Sequence, residues 1–195
     1  MTAAPDLPAA ADDGLVRCDW GVTPEIYRAY HDEEWGREVR GDVALFERIS
    51  LEAFQSGLSW LTILRKREAF RAAFAGFDPR RVAEFGAEDE HRLLHDAGIV
   101  RNRAKIGATI ANARAVLALD GSLTDLLWSF APAVARPAPE TLAEIPSATP
   151  ESTAMSKALR DKGFRFVGPT TCYALMQATG MVNDHLAGCA LRDVR

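Results

Sequence analysis

Only three cysteines occur in the 195 residues, an odd and sparse set that argues against a disulfide framework and fits a reducing cytoplasm. No run of about 18 apolar residues is present, so no transmembrane helix is expected. The opening stretch MTAAPDLPAAADDG has neither a basic n-region nor an apolar h-region, which argues against a secretory signal. Its Ala/Pro/Asp composition is that of a disordered tail, assigned to residues 1–16, with residues 17–195 forming one domain. Alternating strand patterns are nearly missing, and no internal repeat is found. An excess of basic charge is missing too: the net charge is −4, so the whole chain does not announce a nucleic-acid binder.

The charge is unevenly placed, and that distribution matters more than the sum. Ala97 to Leu119 contains no acidic residue but carries Arg101, Arg103, Lys105 and Arg114, while LRKRE (64–68) opens a second basic cluster. Acidic residues gather in the first 52 positions and around 84–96.

What is present is helical periodicity. DVALFERISLEAFQSG and TILRKREAFRAAFAGF carry apolar residues at helical spacing, and DPRRVAEF starts with an Asp cap followed by Pro79. EDEHRLLHDAG, NRAKIGATIANARAVLAL, LTDLLWSF, ESTAMSKALRDKG and GPTTCYALMQATG continue the series, with residues 131–150 as an irregular crossing. The fold class expected is all-α.

Three constellations carry chemistry. In DHLAGC (184–189), His185 and Cys189 are four apart, and a helix would place them on one face. With Cys18 of RCDW and His31 of AYHDEEW they form a Cys, His, His, Cys set of the softness tetrahedral zinc prefers. Four protein ligands leave no coordination position for water, so such a zinc is structural and staples the two chain ends together. Four unrelated residues is the competing reading. Cys172 reads as core, and His91 and His95 as surface. Second, LHDAGIVRNRAKI (94–106) has the form of a helix-hairpin-helix, with Gly98 in the turn and Arg101 and Lys105 beside a helix start able to hold a DNA phosphate. An ordinary helical corner would look similar. Third, Glu52 and Gln55 share a helical face in LEAFQSGLSW, and Tyr30, Trp35 and Trp60 supply aromatic area. Such walls with one carboxylate and one amide suit a planar base bearing exocyclic amines, although tryptophans are also common in cores.

RCDW, YRAYHDEEWG, LEAFQSGLSW, DAGIVRNRAKI and FVGPTTCYALMQATGMVNDHLAGC together resemble the bacterial 3-methyladenine DNA glycosylase I family. The resemblance runs from about Arg17 to Cys189. It implies the helix-hairpin-helix DNA glycosylase fold, with one structural zinc on Cys18, His31, His185 and Cys189 joining the N- and C-terminal segments. The family's base-contacting glutamate, the candidate catalytic residue, matches Glu52. Its pocket aromatics match Tyr30 and Trp60, with Trp35 and Gln55 close by. Ala53 and Ser56 depart from the more usual glycine and alanine of the motif without removing a chemical group. The implied reaction is hydrolysis of the N-glycosidic bond of N3-methylated adenine flipped out of damaged double-stranded DNA, releasing free 3-methyladenine. Gly57 and Leu58 are candidates for a wedge filling the vacated space. A cytoplasmic monomer is expected. Two rivals are a non-enzymatic helix-hairpin-helix DNA-binding protein with structural zinc, which needs no carboxylate in an aromatic pocket, and a hydrolytic zinc enzyme, which needs an open coordination position.

Overall fold

The computed structural model of the chain describes residues 7–194. A short antiparallel pair, β1 (Ala9–Ala10) and β2 (Val16–Arg17), precedes the helices, with Ala9 opposite Arg17. The helices are α1 (Glu25–Glu33), α2 (Asp42–Gln55), α3 (Trp60–Ala73), α4 (Pro79–Ala83), α5 (Ala87–His95), α6 (Arg103–Leu117), α7 (Leu123–Trp128), α8 (Pro150–Asp161) and α9 (Pro169–Ala178).

Local chemistry sets most of the helix starts. Ser59, Asp78, Asn102, Ser122 and Thr149 each accept a hydrogen bond from a backbone amide of the following turn. Pro79, Pro150 and Pro169 occupy first-turn positions where no amide donor is needed.

The central element is α2. Leu45, Phe46, Ile49, Leu51 and Phe54 are all fully buried, and α3, α6, α7 and α9 pack around it. From Leu45 to Phe54 every residue but Glu47 and Arg48 is buried, so this stretch lies inside. Its C-terminal end therefore carries Glu52 and Gln55 into the middle of the molecule. A smaller cluster of Cys18, Leu186 and Cys189, with Trp20 and Trp35 against it, lies where the two chain ends meet.

Two sequence expectations are revised. Within the segment expected as a tail, residues 1–16, β1 pairs with the start of β2, and Arg17, only 2% exposed, donates to both Asp13 and Asp32. Residues 1–6 of that tail lie outside the described residues. No helix is anticipated over the polar stretch EIYRAYHDE, yet it forms α1, whose Tyr30 and His31 are buried. Finally, DHLAGC is not helical. α9 ends at Ala178, Gly180 takes φ +75, and a Cβ there would lie 2.7 Å from the Arg37 carbonyl carbon. His185 and Cys189 are brought together by turns instead.

Candidate active site

The C-terminal end of α2, the start of α3, α1 and α9 surround a cavity of ≈ 350 Å³. Tyr30, Trp35, Glu52, Gln55 and Trp60, all singled out in the sequence, line it together. Tyr30 and Trp60 face each other with ring centroids 5.3 Å apart. Trp20 meets Trp35 edge-on at 5.0 Å and Tyr27 at 5.8 Å. Tyr27 also accepts a hydrogen bond from the Leu61 amide, tying α1 to the first turn of α3.

Glu52 is 6% exposed, and its carboxyl has no hydrogen-bond partner among the described residues. Burial pushes its pKa up to about 8, opposed by the positive charge of Arg48. The same burial, with Glu52 nearby, raises the Tyr30 phenol well above its ordinary value and keeps it neutral. A buried carboxyl without a partner is costly, and the arrangement is relieved by a ligand that brings a donor or a positive charge.

The pocket's outer wall rests on the Cys/His cluster. Trp35 packs edge-on to His185 at 4.6 Å, and Trp20 to His31 at 5.1 Å. The ligand atoms of Cys18, His31, His185 and Cys189 all lie within 4.8 Å of one another. Cys189 Sγ is 3.6 Å from His31 Nε2 and 3.5 Å from His185 Nδ1, and Cys18 Sγ is 3.8 Å from His185 Nδ1. A tetrahedral ion with bonds of about 2.0–2.3 Å separates its ligand atoms by roughly 3.3–3.8 Å, the range in which these three spacings fall, so the cluster could hold a metal ion. The Leu186 amide donates to Cys18 Sγ, as a thiolate requires.

The sequence model of the methyladenine glycosylase family matches residues 20–193. The chain belongs to this family. DNA-3-methyladenine glycosylase 1 of Escherichia coli (strain K12) is 50% identical over 181 residues, covering 90% of this chain and 96% of that protein. The DNA-3-methyladenine glycosylase of Haemophilus influenzae (strain Rd) is 44% identical, covering 89% and 96% respectively. The structure of 3-methyladenine DNA glycosylase I from Staphylococcus aureus, described as the basis of its 3-methyladenine recognition, is similar with a TM-score of 0.85. It is 34% identical and covers 90% of this chain and 96% of that one.

In this methyladenine glycosylase the remaining candidates lie outside that cavity's wall. Gly57, at φ +78, turns the chain between α2 and α3, and Leu58 is 42% exposed. Both line a second cavity of ≈ 290 Å³ that shares Glu52, Gln55 and Ala174 with the first. Gly98 lies in the turn between α5 and α6, where a Cβ would come within 2.9 Å of the Ala69 side chain. Its amide already donates to Asp96, so Gly98 shapes the hairpin without offering its own N–H. Arg101 is exposed. Lys105 corrects the expectation of a free phosphate-seeking cation. It is buried, and its ammonium donates to the carbonyls of Phe54 and Ser56 at 2.8 and 2.5 Å. The last turn of a helix leaves carbonyls unpaired, and a lysine from a neighbouring helix satisfies them.

Sequence reasoning missed Trp20, Tyr27, Leu142, Ile145, Ala174 and Gln177 in the cavity wall. Tyr27 is three residues before Tyr30, a spacing that marks one helical face once α1 is recognised. Leu142 and Ile145 come from the irregular crossing and carry no periodic signal.

Proposed function

We propose that this chain is a base-excision glycosylase that binds damaged double-stranded DNA, accepts a flipped N3-methylated adenine in the aromatic cavity and hydrolyses its N-glycosidic bond. The observation that carries this reading is Glu52, a buried carboxyl without a hydrogen-bond partner among the described residues, on the wall of a cavity built from Trp20, Tyr30, Trp35 and Trp60. The relatives bearing the name DNA-3-methyladenine glycosylase support it.

Methylation at N3 makes the base cationic, so it leaves as a neutral molecule without being protonated by the protein. Extrusion costs a few kcal/mol, less for a damaged pair, and stacking against Trp60 and Tyr30 returns about 1–3 kcal/mol. Glu52 accepts from the edge of the base and favours its positive charge, an attraction strengthened where water is excluded. Gln55 and Trp35 complete the wall. Leu58, lifted by the Gly57 turn at the rim, fills the space the base vacates. α5, its turn and α6 act as the helix-hairpin-helix, with Arg101 on a phosphate.

Cys18, His31, His185 and Cys189 hold one structural zinc, which contributes folding free energy when bound. With all four positions protein-filled, the ion has no place for a reactive water, and this disfavours a hydrolytic zinc enzyme. A purely DNA-binding module would need no carboxyl buried in an aromatic cavity.

No described helix is long and apolar enough to cross a membrane, and we expect a cytoplasmic monomer. The test incubates methylated duplex DNA with the protein and a chelator and separates the released bases. Free 3-methyladenine is expected. Binding without any released base would overturn the reading in favour of a DNA-binding module.

A further inference from the structure

Gln177 lines the cavity from α9, one turn beyond Ala174. Its amide nitrogen donates to Asp184 Oδ2 at 2.9 Å. The same carboxylate oxygen receives the Tyr173 hydroxyl at 2.5 Å, and Tyr173 in turn accepts from Arg136 Nη1 at 2.9 Å. The direction of this chain is fixed at its outer end. A guanidinium only donates, so the Tyr173 oxygen accepts from it and its single proton goes to Asp184. Asp184 is buried, and with two donors aimed at it, its carboxylate accepts from both. Gln177 must therefore turn its nitrogen toward Asp184. Its carbonyl oxygen is left without a partner among the described residues.

We infer that Gln177, held in this orientation by Asp184, is a specificity residue that accepts a hydrogen bond from the exocyclic amine of adenine and rejects the corresponding carbonyl of guanine. Adenine presents an N6 amine donor where guanine presents the O6 acceptor. An amide oxygen facing the amine gains a hydrogen bond, whereas facing O6 it places two acceptors together in a dry pocket. The second hydrogen on the Gln177 nitrogen is available to N7, but N7 is an acceptor in both purines and does not discriminate. Glu52 accepts from the amine when ionised but can donate to O6 when protonated, so the choice that holds in either state falls to a neutral group of fixed polarity. Asp184, Tyr173 and Arg136 are positioning residues. Their effect passes through the amide of Gln177.

This inference rests on the excision reading above. The experiment measures release of 3-methyladenine and 3-methylguanine from the same methylated duplex DNA under single-turnover conditions. The wild type is compared with Gln177→Met, which has similar bulk but no hydrogen-bonding amide, and with Asp184→Leu. The ratio of the two rates is independent of how much protein is folded, so loss of stability does not move it. Wild type should favour 3-methyladenine, and Gln177→Met should reduce that preference about tenfold or more, the size of one hydrogen-bond discrimination. Asp184→Leu removes the acceptor that Gln177 and Tyr173 share, allows the amide to turn over, and should shift the ratio toward 3-methylguanine. A Gln177→Met ratio equal to wild type overturns the specificity role. An Asp184→Leu ratio equal to wild type overturns the positioning chain. Wild type that releases neither base defeats the excision reading itself and this inference with it.

Discussion

His31 Nδ1 lies 2.8 Å from Asp32 Oδ1, while Nε2 of the same ring lies 3.6 Å from Cys189 Sγ. Asp32 is held in turn by the Arg17 guanidinium, which with His31 keeps the carboxyl below its ordinary value in spite of partial burial. A carboxylate on Nδ1 fixes the tautomer that leaves Nε2 free to bind metal.

Elemental analysis of the purified protein is therefore expected to give one zinc per chain. Asp32→Ala should weaken zinc retention against a chelator by roughly 10–100-fold, the usual effect of losing such a supporting partner. Cys18→Ser should lower the thermal midpoint strongly. Zinc content below stoichiometry in wild type, or equal retention in Asp32→Ala, would count against the site.

Glu52 also predicts a pH dependence of stability. Its folded pKa, about 8 through burial, lies above the ordinary glutamate value of 4.5. Between those values the folded chain holds more protons at this position than the unfolded one, so stability falls as pH rises through the window. Glu52→Gln escapes that penalty. Without DNA, its gain over wild type should be small near pH 5 and on the order of 3 kcal/mol near pH 8.5. Melting curves at the two pH values test this, and a gain that is equal at both would reject it.

Excision should depend on the same group in the opposite sense. The charged carboxylate attracts the cationic base, and its fraction in the free protein rises nearly tenfold per pH unit up to about pH 8. Single-turnover kcat/KM on methylated DNA should rise from pH 6 to pH 8 in wild type. In Glu52→Gln it should be lower and flat across that range, yet still above the uncatalysed rate, and free 3-methyladenine should bind less tightly. A Glu52→Gln profile that still rises would remove Glu52 from the base edge.

Arg101 and Lys105 should separate cleanly. Arg101→Ala is expected to lower the slope of log affinity against log salt by up to about one for the lost phosphate contact. Lys105→Met should leave that slope alone and cost about 1.5–3 kcal/mol of stability, because Phe54 and Ser56 lose a charged donor. Salt titrations and denaturant melts on both variants decide it.

Trp60→Ala opens one wall of the cavity. Losing a stacking surface of about 1–3 kcal/mol should reduce excision by roughly 5–150-fold with little change in the affinity for undamaged duplex. A variant that lost undamaged-duplex binding instead would place Trp60 on the DNA surface.

The sequence was a good guide wherever the signal is local. Asp78–Pro79 and Pro169 announce helix starts, because a helix start needs only its own first turn; the cap at Thr149 went unread within the irregular crossing. It gave no helix at α1, whose polar composition hides a face defined by Tyr27, Tyr30 and His31, and no sign of the β1–β2 pair, which Arg17 ties to Asp32 in α1. It also misread DHLAGC as helix, since spacing of four is satisfied by a turn as readily as by a helix when another segment closes the gap.

The residue types of the site were legible from the chain alone: two cysteines and two histidines of the softness zinc prefers, a carboxylate and an amide one turn apart, and tryptophans nearby. Those are matters of composition and short spacing. The environment of each was decided by tertiary structure. Glu52 lacks a hydrogen-bond partner among the described residues, Lys105 is spent on the end of α2, and Gln177 lines the cavity with its amide held by Asp184, because each outcome depends on how separate elements pack together. Desolvation and hydrogen-bond direction are properties of what surrounds a group, and no residue carries its surroundings in its name.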